Sequence, residues 1–344
     1  MSRHDDRDAA LETMMLALEQ EPALVPAEGR IGFLRARPHA SLKQFGERLV
    51  CQQNYKPAAE ALEAAGWPVA ENIEAPCSLV LLLPDRQKEQ TFADFAHGMA
   101  LLEPGGALVV GLHNDWGARR FEKHLTEFAG EVGKLSKHHC RAFWARKTEA
   151  LNAALSAEWA AHGELRRVLD GRFWSCPGLF HWDELDAGSQ LLVDHLPKDI
   201  HGKVADLGAG WGFLSDFVLR HCPDVTTLDL FEADRLAIEA AKRNLGLVPM
   251  KLRPQFHWAD VTRGVGDARY DFIVMNPPFH EGRQTDHLLG VKFIANAAKA
   301  LKPGGQLWLV ANRHLPYERF LAEAFAHHSQ VVQTAGFKVL MAVK

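Results

Sequence analysis

The segment DFIVMNPPFH, residues 271–280, ends an apolar run in Asn276-Pro277-Pro278-Phe279. A residue before proline is driven to extended backbone and proline has a fixed φ, so Asn276 and Pro277 are held rigidly. Prolines donate nothing but keep their carbonyls. The Asn276 amide oxygen and the Pro277 carbonyl can therefore accept two N–H bonds from one planar exocyclic amine. Holding both hydrogens bends the nitrogen toward tetrahedral geometry and directs its lone pair at an electrophile. No strong base is needed, because the amine sheds its proton after attack. Phe279 adds a face on which a base can stack. A bare Asn-Pro-Pro also serves as a structural turn. Its weight here comes from its place at the carboxyl edge of the fourth strand of an α/β unit, where ligands bind.

Two upstream features supply a ligand site for the same unit. In GKVADLGAGWGFLSDFVLR, residues 202–220, a strand meets a helix through Gly208, Gly210 and Gly212, with Ala209 between the first two. Glycines there allow a sharp turn and close approach of a ligand to helix N–H groups. The spacing is neither the dinucleotide fingerprint nor a phosphate-cradling P-loop. The next strand, VTTLDLF, runs into Glu232, about 20 residues beyond the glycines, where an acid can accept both ribose hydroxyls. The competing role is a surface Glu that caps the following helix. A third strand, QFHWAD, ends at Asp260, which can accept from an adenine amine while Val261 packs on the ring; a capping role competes here too.

The elements that must position these residues occur twice. LLEPGGALVVGLHN at 101–114 matches ALKPGGQLWLVANR at 300–313, each the end of a helix, a Pro-Gly-Gly turn and an apolar strand. Downstream of each copy, RRFEKHLTEFAG and YERFLAEAFAHH read as helices, then CRAFWARK and FKVLMAVK as strands. Upstream, SLVLLLPDR sits where DFIVMNPPF sits in the second half. Each half thus ends strand–helix–turn–strand–helix–strand, and only the second has the glycine loop and NPPF. The expected architecture is α/β, two tandem domains from duplication with the N-terminal one degenerate, divided as 1–165 and 166–344. Residues 148–170 read as helical, and Asp186 and Ser189 lie in the N-cap region of a helix.

Asp206-Leu207-Gly208-Ala209-Gly210, Glu232, Asp260 and Asn276-Pro277-Pro278-Phe279 together resemble the class I S-adenosylmethionine-dependent N-methyltransferases. The whole chain is similar to the bacterial ribosomal RNA guanine-N2 methyltransferases, specifically the small subunit methyltransferase C family, whose members pair two Rossmann-like halves. LDAGSQLL and the ending FKVLMAVK share in that resemblance, which is strong from about residue 170 onward. It implies that Asp206 and the glycines line the methionine end of S-adenosylmethionine. It matches Glu232 and Asp260 to the ribose and adenine, and Asn276 to Phe279 to the target base. It implies methyl transfer to a guanine N2 amine in 16S ribosomal RNA, in the naked RNA or in the small ribosomal subunit. One departure is ANRHLPY, 311–317, which is closer to the sister large-subunit (23S) enzymes.

Composition narrows the partners. Among 344 residues there are 43 acidic and 39 basic side chains, a net charge of −4, so RNA contact requires a local basic face. Candidates are Arg119, Arg120, Lys123, Lys137 and Arg141 in the first half, with Arg313 in the second. The competing reading is a solvated, salt-bridged face beside Glu122, Glu127 and Glu131. Five scattered cysteines without a CxxC pair read as reduced thiols, and the acidic start MSRHDDRDAA as no signal peptide, so a cytoplasmic location is expected. The apolar runs are strand-sized, so no membrane span is expected, and the histidines lack metal spacing, so no metal is expected. A monomer is expected. Two further functions stand beside the leading one, N-methylation of a protein glutamine and a non-catalytic role in ribosome assembly.

Overall fold

A computed structural model of the chain describes residues 3–248, 252–278, 280–281, 284–285 and 287–344. The chain divides into two compact units, one running to Glu164 and including Cys176–Gly178, the other comprising Leu165–Ser175 and Leu179–Lys344.

In the first unit the order is α1 (Arg3–Gln20), β1 (Ile31–Leu34), β2 (Leu49–Gln52), α2 (Lys56–Ala64), β3 (Val69–Ala70), β4 (Cys77–Leu82) and α3 (Lys88–Leu101). Then come β5 (Leu102–His113), α4 (Ala118–Ala129), β6 (Val132–Lys137), β7 (Cys140–Arg146) and α5 (Ala153–His162). The second unit opens with a hairpin, β8 (Arg166–Val168) and β9 (Phe173–Ser175). It continues through α6 (Ala187–Val193), β10 (His201–Leu207), α7 (Phe213–His221), β11 (Asp224–Glu232), α8 (Arg235–Leu245), β12 (Gln255–Trp258) and β13 (Tyr270–Met275). A short hairpin, β14 (His280–Glu281) and β15 (Gln284–Thr285), precedes α9 (His287–Ala300), β16 (Leu301–Asn312), α10 (Tyr317–Ala324), β17 (His327–Gln333) and β18 (Phe337–Val343).

The two seven-stranded sheets run β3-β2-β1-β4-β5-β7-β6 and β12-β11-β10-β13-β16-β18-β17, which is the same order twice. Five strands are parallel, β7 and β18 run against them, and the edge strands β6 and β17 pair antiparallel with β7 and β18 respectively. The central strands β4 and β13 are apolar and buried, as parallel strands covered on both faces must be.

The duplication extends to an irregularity. In both sheets the register slips at the Pro-Gly-Gly segment, between Cys77 and Leu79 opposite β5 and between Tyr270 and Phe272 opposite β16. Gly105 and Gly304 have φ of 83° and 79° there. Their N–H groups donate to the carbonyls of Lys147 and Lys344, each at 2.8 Å. A side chain at either glycine would be strained, so both copies keep glycine. What reads in sequence as a turn is therefore a bulge within one long strand.

The structure departs from the sequence expectations in two further places. The stretch 148–170 is not one helix: α5 ends at His162, and Arg166–Val168 pairs with β9 across a turn in which Leu169, Asp170 and Gly171 all have positive φ. Strands β6 and β17 were absent from the expected order. β17 takes His327 and His328 out of the expected helix, and its solvent-facing pattern carries little apolar signal.

Register also shows why the first unit is degenerate. Leu34 pairs with Gln52 as Leu207 pairs with Phe231, so Arg35 stands where the other unit has Gly208, and Gln53 where it has Glu232. The backbone bonds survive: Ala36 N–H to Gln52 O at 3.0 Å parallels Ala209 N–H to Phe231 O at 3.1 Å. Arg35, at φ 53°, sends its guanidinium into a two-point pair with Asp94 at 2.6 and 3.2 Å, in the space that a glycine leaves open. Leu83 stands where Asn276 does, so the first unit has no amide at that edge.

Candidate functional site

Strands β10, β11 and β13 deliver Leu207, Phe231 and Met275 side by side at one edge of the second sheet, and the chain leaving each strand builds the site. After β10 the loop turns through Gly208, Gly210 and Gly212, with φ of 75°, 54° and 90°. A Cβ on Gly210 would meet nothing within 4 Å, so the loop backbone is open to a ligand there. A cleft of about 440 Å³ lies in front of it, lined by Phe180, His181, Asp186, Ser189, Trp211 and Asn276 among others.

Glu232, at the end of β11, is joined to the loop. Its carboxylate accepts from Gly210 N–H at 2.7 Å and from Asp234 N–H at 2.8 Å. Capping of α8 falls to Asp234, which accepts from Leu236 N–H at 2.8 Å. Burial pushes the Glu232 carboxyl up while those N–H groups pull it down. A carboxylate has about four lone-pair sites, so two bonds leave room for two hydroxyl donors.

Asp206 is fully buried. Ser215 Oγ donates to its Oδ2 at 2.7 Å, and Oδ1 has no partner among the described residues. Burial, with the Glu232 charge nearby, pushes its carboxyl up to about 7. The folded protein therefore binds a proton between about pH 4 and 7 that the unfolded chain releases, and this group's contribution to stability falls as pH rises through that window. Asp206→Asn is expected to gain about 2–3 kcal/mol on the wild type between pH 5 and pH 8. Denaturant unfolding at the two pH values measures it, and an equal difference at both would remove the assignment.

The Asn276 side chain is the best-defined feature of the cleft. Its Nδ2 donates to Asp186 Oδ2 at 2.8 Å and to Ser189 Oγ at 2.7 Å. The amide is therefore fixed with nitrogen toward α6, and Oδ1 is buried without a partner among the described residues. Asp186 also N-caps α6, accepting from Ser189 N–H at 2.7 Å, so one carboxylate sets both the helix start and the amide orientation. His181 Nε2 lies 3.5 Å from the other Asp186 oxygen. Pro277 is buried and Pro278 exposed, while Phe279 lies outside the described residues.

Asp260 accepts from Thr262 N–H at 2.9 Å and Thr262 Oγ at 2.6 Å, capping the short helix Val261–Arg263. Val261 is 3% exposed and part of the core, so it presents little surface to a ring.

The expected basic face is only partly available. Arg141 and Lys134 are both tied to Glu122, the latter at 3.0 Å, and Lys123 reaches Glu127 at 4.0 Å. Arg141 thus shares Glu122 with Lys134. Arg119, Arg120, Lys137 and Arg313 are exposed, with no carboxylate partner among the described residues. In ANRHLPY, Leu315 and Tyr317 are core residues, and Gly290 leaves the space that the Tyr317 hydroxyl fills.

Sequence reasoning placed Asp186 and Ser189 at a helix start and missed their hold on Asn276. It also missed Asn244, which accepts from Trp174 N–H at 2.6 Å and donates to Trp211 O at 2.8 Å, bracing the glycine loop. Among the described residues no cluster of His, Cys, Asp and Glu is placed to hold a metal, and no helix is long and apolar enough to cross a membrane. All five cysteines are buried and none forms a disulfide; burial pushes Cys51 up to about 12 and Cys140 and Cys222 to about 11, too high for a thiolate nucleophile at neutral pH.

Comparison with known proteins agrees with this layout. Residues 170–341 match the family model described as Methyltransferase small domain. The chain is 32% identical over 270 residues to the Ribosomal RNA small subunit methyltransferase C of Salmonella newport, covering 78% of this chain and 76% of that protein. It is 29% identical over 272 residues to the protein of the same name from Psychromonas ingrahamii, covering 78% and 77%. A T. thermophilus 16S rRNA N2 methyltransferase, solved in complex with AdoMet and guanosine, superposes with a TM-score of 0.79 over 97% of this chain and 92% of that one; at 24% identity the likeness is one of fold. With duplicated sheets, a glycine loop closed by Glu232 and an Asn276 amide held at the strand edge, the chain belongs to the ribosomal RNA small subunit methyltransferase C family.

Proposed function

We propose that the second unit transfers a methyl group from S-adenosylmethionine to the exocyclic N2 amine of a guanine in small-subunit ribosomal RNA, using Asn276 as the amine's acceptor. The observation that carries this is the buried, unpartnered Asn276 Oδ1, fixed by Asp186 and Ser189 at the cleft. A guanine N2 presents two hydrogens, and Oδ1 with the Pro277 carbonyl takes both. The open backbone at Gly210 and the spare acceptor capacity of Glu232 fit a nucleoside with ribose hydroxyls. S-adenosylmethionine supplies the electrophilic methyl when bound. The N2–carbon bond forms as the carbon–sulfur bond breaks, and the excess proton leaves for water, consistent with a site that places no strong base at the amine. Asp206 and Asp260 serve the cofactor's methionine and adenine ends.

The test incubates the purified protein with S-adenosylmethionine labelled on the methyl group and with isolated small or large ribosomal subunits. The expected result is label in 16S RNA recovered as N2-methylguanine after digestion. Label in large-subunit RNA would reassign the target, label on a protein glutamine would reassign the substrate class, and no label would support a non-catalytic assembly role.

A further inference from the structure

The catalytic unit carries a cationic surface that its sequence does not advertise as a basic run. Arg166 lies 4.5 Å over the Trp182 ring. Trp174 receives two guanidinium groups, Arg167 at 4.7 Å and Arg243 at 5.2 Å. None of the three arginines has a carboxylate in ion-pair reach among the described residues, in contrast to Lys242, held by Glu239 at 2.6 Å, and Arg172, held by Asp216 at 3.3 Å.

A guanidinium stacked on an indole is fixed in plane without being neutralised, and its N–H edge stays directed outward. That is a preorganised acceptor for phosphate, which takes two parallel N–H bonds from such a fork. The β8–β9 turn fixes the geometry further, since Arg167 donates to Gly171 O at 2.9 Å across positive-φ residues Leu169 and Asp170.

Trp174 is tied to the cleft wall through one buried residue. Asn244 clamps both the N–H and the carbonyl of Trp174 and the carbonyl of Trp211. The Trp211 indole donates to Phe180 O at 3.0 Å, and Trp211 and Phe180 are cleft walls. Phe180 is 62% exposed, a large apolar face left open beside the amide of Asn276. At the other end, Trp182 directly follows the cleft residue His181.

We propose that Arg166–Trp182 and Arg167–Trp174–Arg243 form a phosphate track for single-stranded RNA leading to the cleft, with Phe180 stacking a base at its mouth. The proposal rests on the RNA reading above. Guanidinium charges without carboxylate partners beside an open aromatic face match a polyanion with bases, and this is the combination found in sequence-tolerant single-strand binding.

The experiment uses the full chain and fluorescein-labelled oligouridine, read by anisotropy over a salt series, and needs no methyl transfer. Arg167→Glu/Arg243→Glu is expected to weaken binding about ten-fold or more and to flatten the log–log salt slope by about 1.4, the value for two phosphate contacts on a single strand. Lys242→Glu, a neighbouring charge reversal of a paired lysine, is expected to change affinity less than about two-fold. Arg167→Lys/Arg243→Lys is expected to fall between the wild type and the Glu pair, because it keeps charge and loses the stacked fork. Thermal melting and S-adenosylmethionine affinity are expected to match the wild type in all variants. Unchanged RNA affinity in the Glu pair, or an equal loss in Lys242→Glu, would overturn the track. So would polyglutamate binding as tightly as RNA and showing the same loss, which would mark an acidic protein as the partner. The subunit-labelling assay tests the parent reading separately, so failure of one is not mistaken for failure of the other.

Discussion

Asn276→Ala is expected to lower the methyl-transfer rate by about 10²–10³-fold, the range for losing one preorganised group aimed at developing charge. The amide does more than contact the base. With Nδ2 committed to Asp186 and Ser189, Oδ1 is the atom left facing the amine, and its burial makes it costly to leave unpaired. The N–H donors become stronger as positive charge develops on N2 during attack, so the interaction is stronger in the transition state than in the bound ground state. The loss should fall mainly on kcat, with S-adenosylmethionine affinity within a few-fold of the wild type. Asn276→Asp is not a mild alternative. It would set a carboxylate oxygen about where Nδ2 now sits, 2.8 Å from Asp186 Oδ2, and like charges at that distance force one to take a proton. That variant should lose stability as pH rises, which the alanine variant should not. Single-turnover rates on small subunits, with unfolding at pH 5 and pH 8, decide both points; an Asn276→Ala enzyme at the wild-type rate would remove Asn276 from the mechanism.

Asp186→Ala is expected to cost about 10–100-fold in kcat through Asn276, together with about 1 kcal/mol for the lost helix cap. Asp186 touches no reacting atom in this scheme; it is a positioning residue. Without it the carboxamide can rotate and present its NH₂ to the amine, a donor facing a donor. Ser189→Ala separates the two roles. It removes one acceptor from Nδ2 but keeps the Ser189 N–H on the Asp186 carboxylate, so kcat should fall while stability holds. Asp186→Asn keeps one side-chain oxygen, and because the Ser189 N–H and Asn276 Nδ2 both donate to Oδ2, that single oxygen can serve both, so this variant should recover most of the rate. A purely structural role would move stability and leave the kcat split between these variants absent. Comparison of kcat, KM and unfolding midpoints across the three variants measures the difference.

The unequal value of the two halves was legible before any fold was known, because it is written in local chemistry. A strand followed by spaced glycines, an acid after the next strand and Asn-Pro-Pro after the fourth constrain backbone and side chain within a few residues of each motif. The Pro-Gly-Gly repeat likewise marks the same register slip in both sheets, since glycine takes the positive φ found there without the strain that a side chain would add. Residues Arg166–Val168 read as helical because three helix-compatible residues in isolation say nothing about hairpin partners five to nine positions on. The pairing on the basic face was out of sight for a related reason: Glu122 follows Arg119 and Arg120 on α4, yet the residues that it pairs with are Lys134 and Arg141 on β6 and β7.

By itself, then, the sequence determined the duplicated α/β plan, the edge that carries chemistry and the identity of the amide that would hold an amine. Tertiary structure alone decided which way that amide points. Asp186 and Ser189 lie 90 and 87 residues before Asn276, and no local rule couples them. The coupling exists because α6 starts where β13 ends, so a capping carboxylate with spare lone pairs lies against the Nδ2 of Asn276. A carboxamide differs end from end only by hydrogen bonding, and its partners, unlike its backbone, are supplied by the fold.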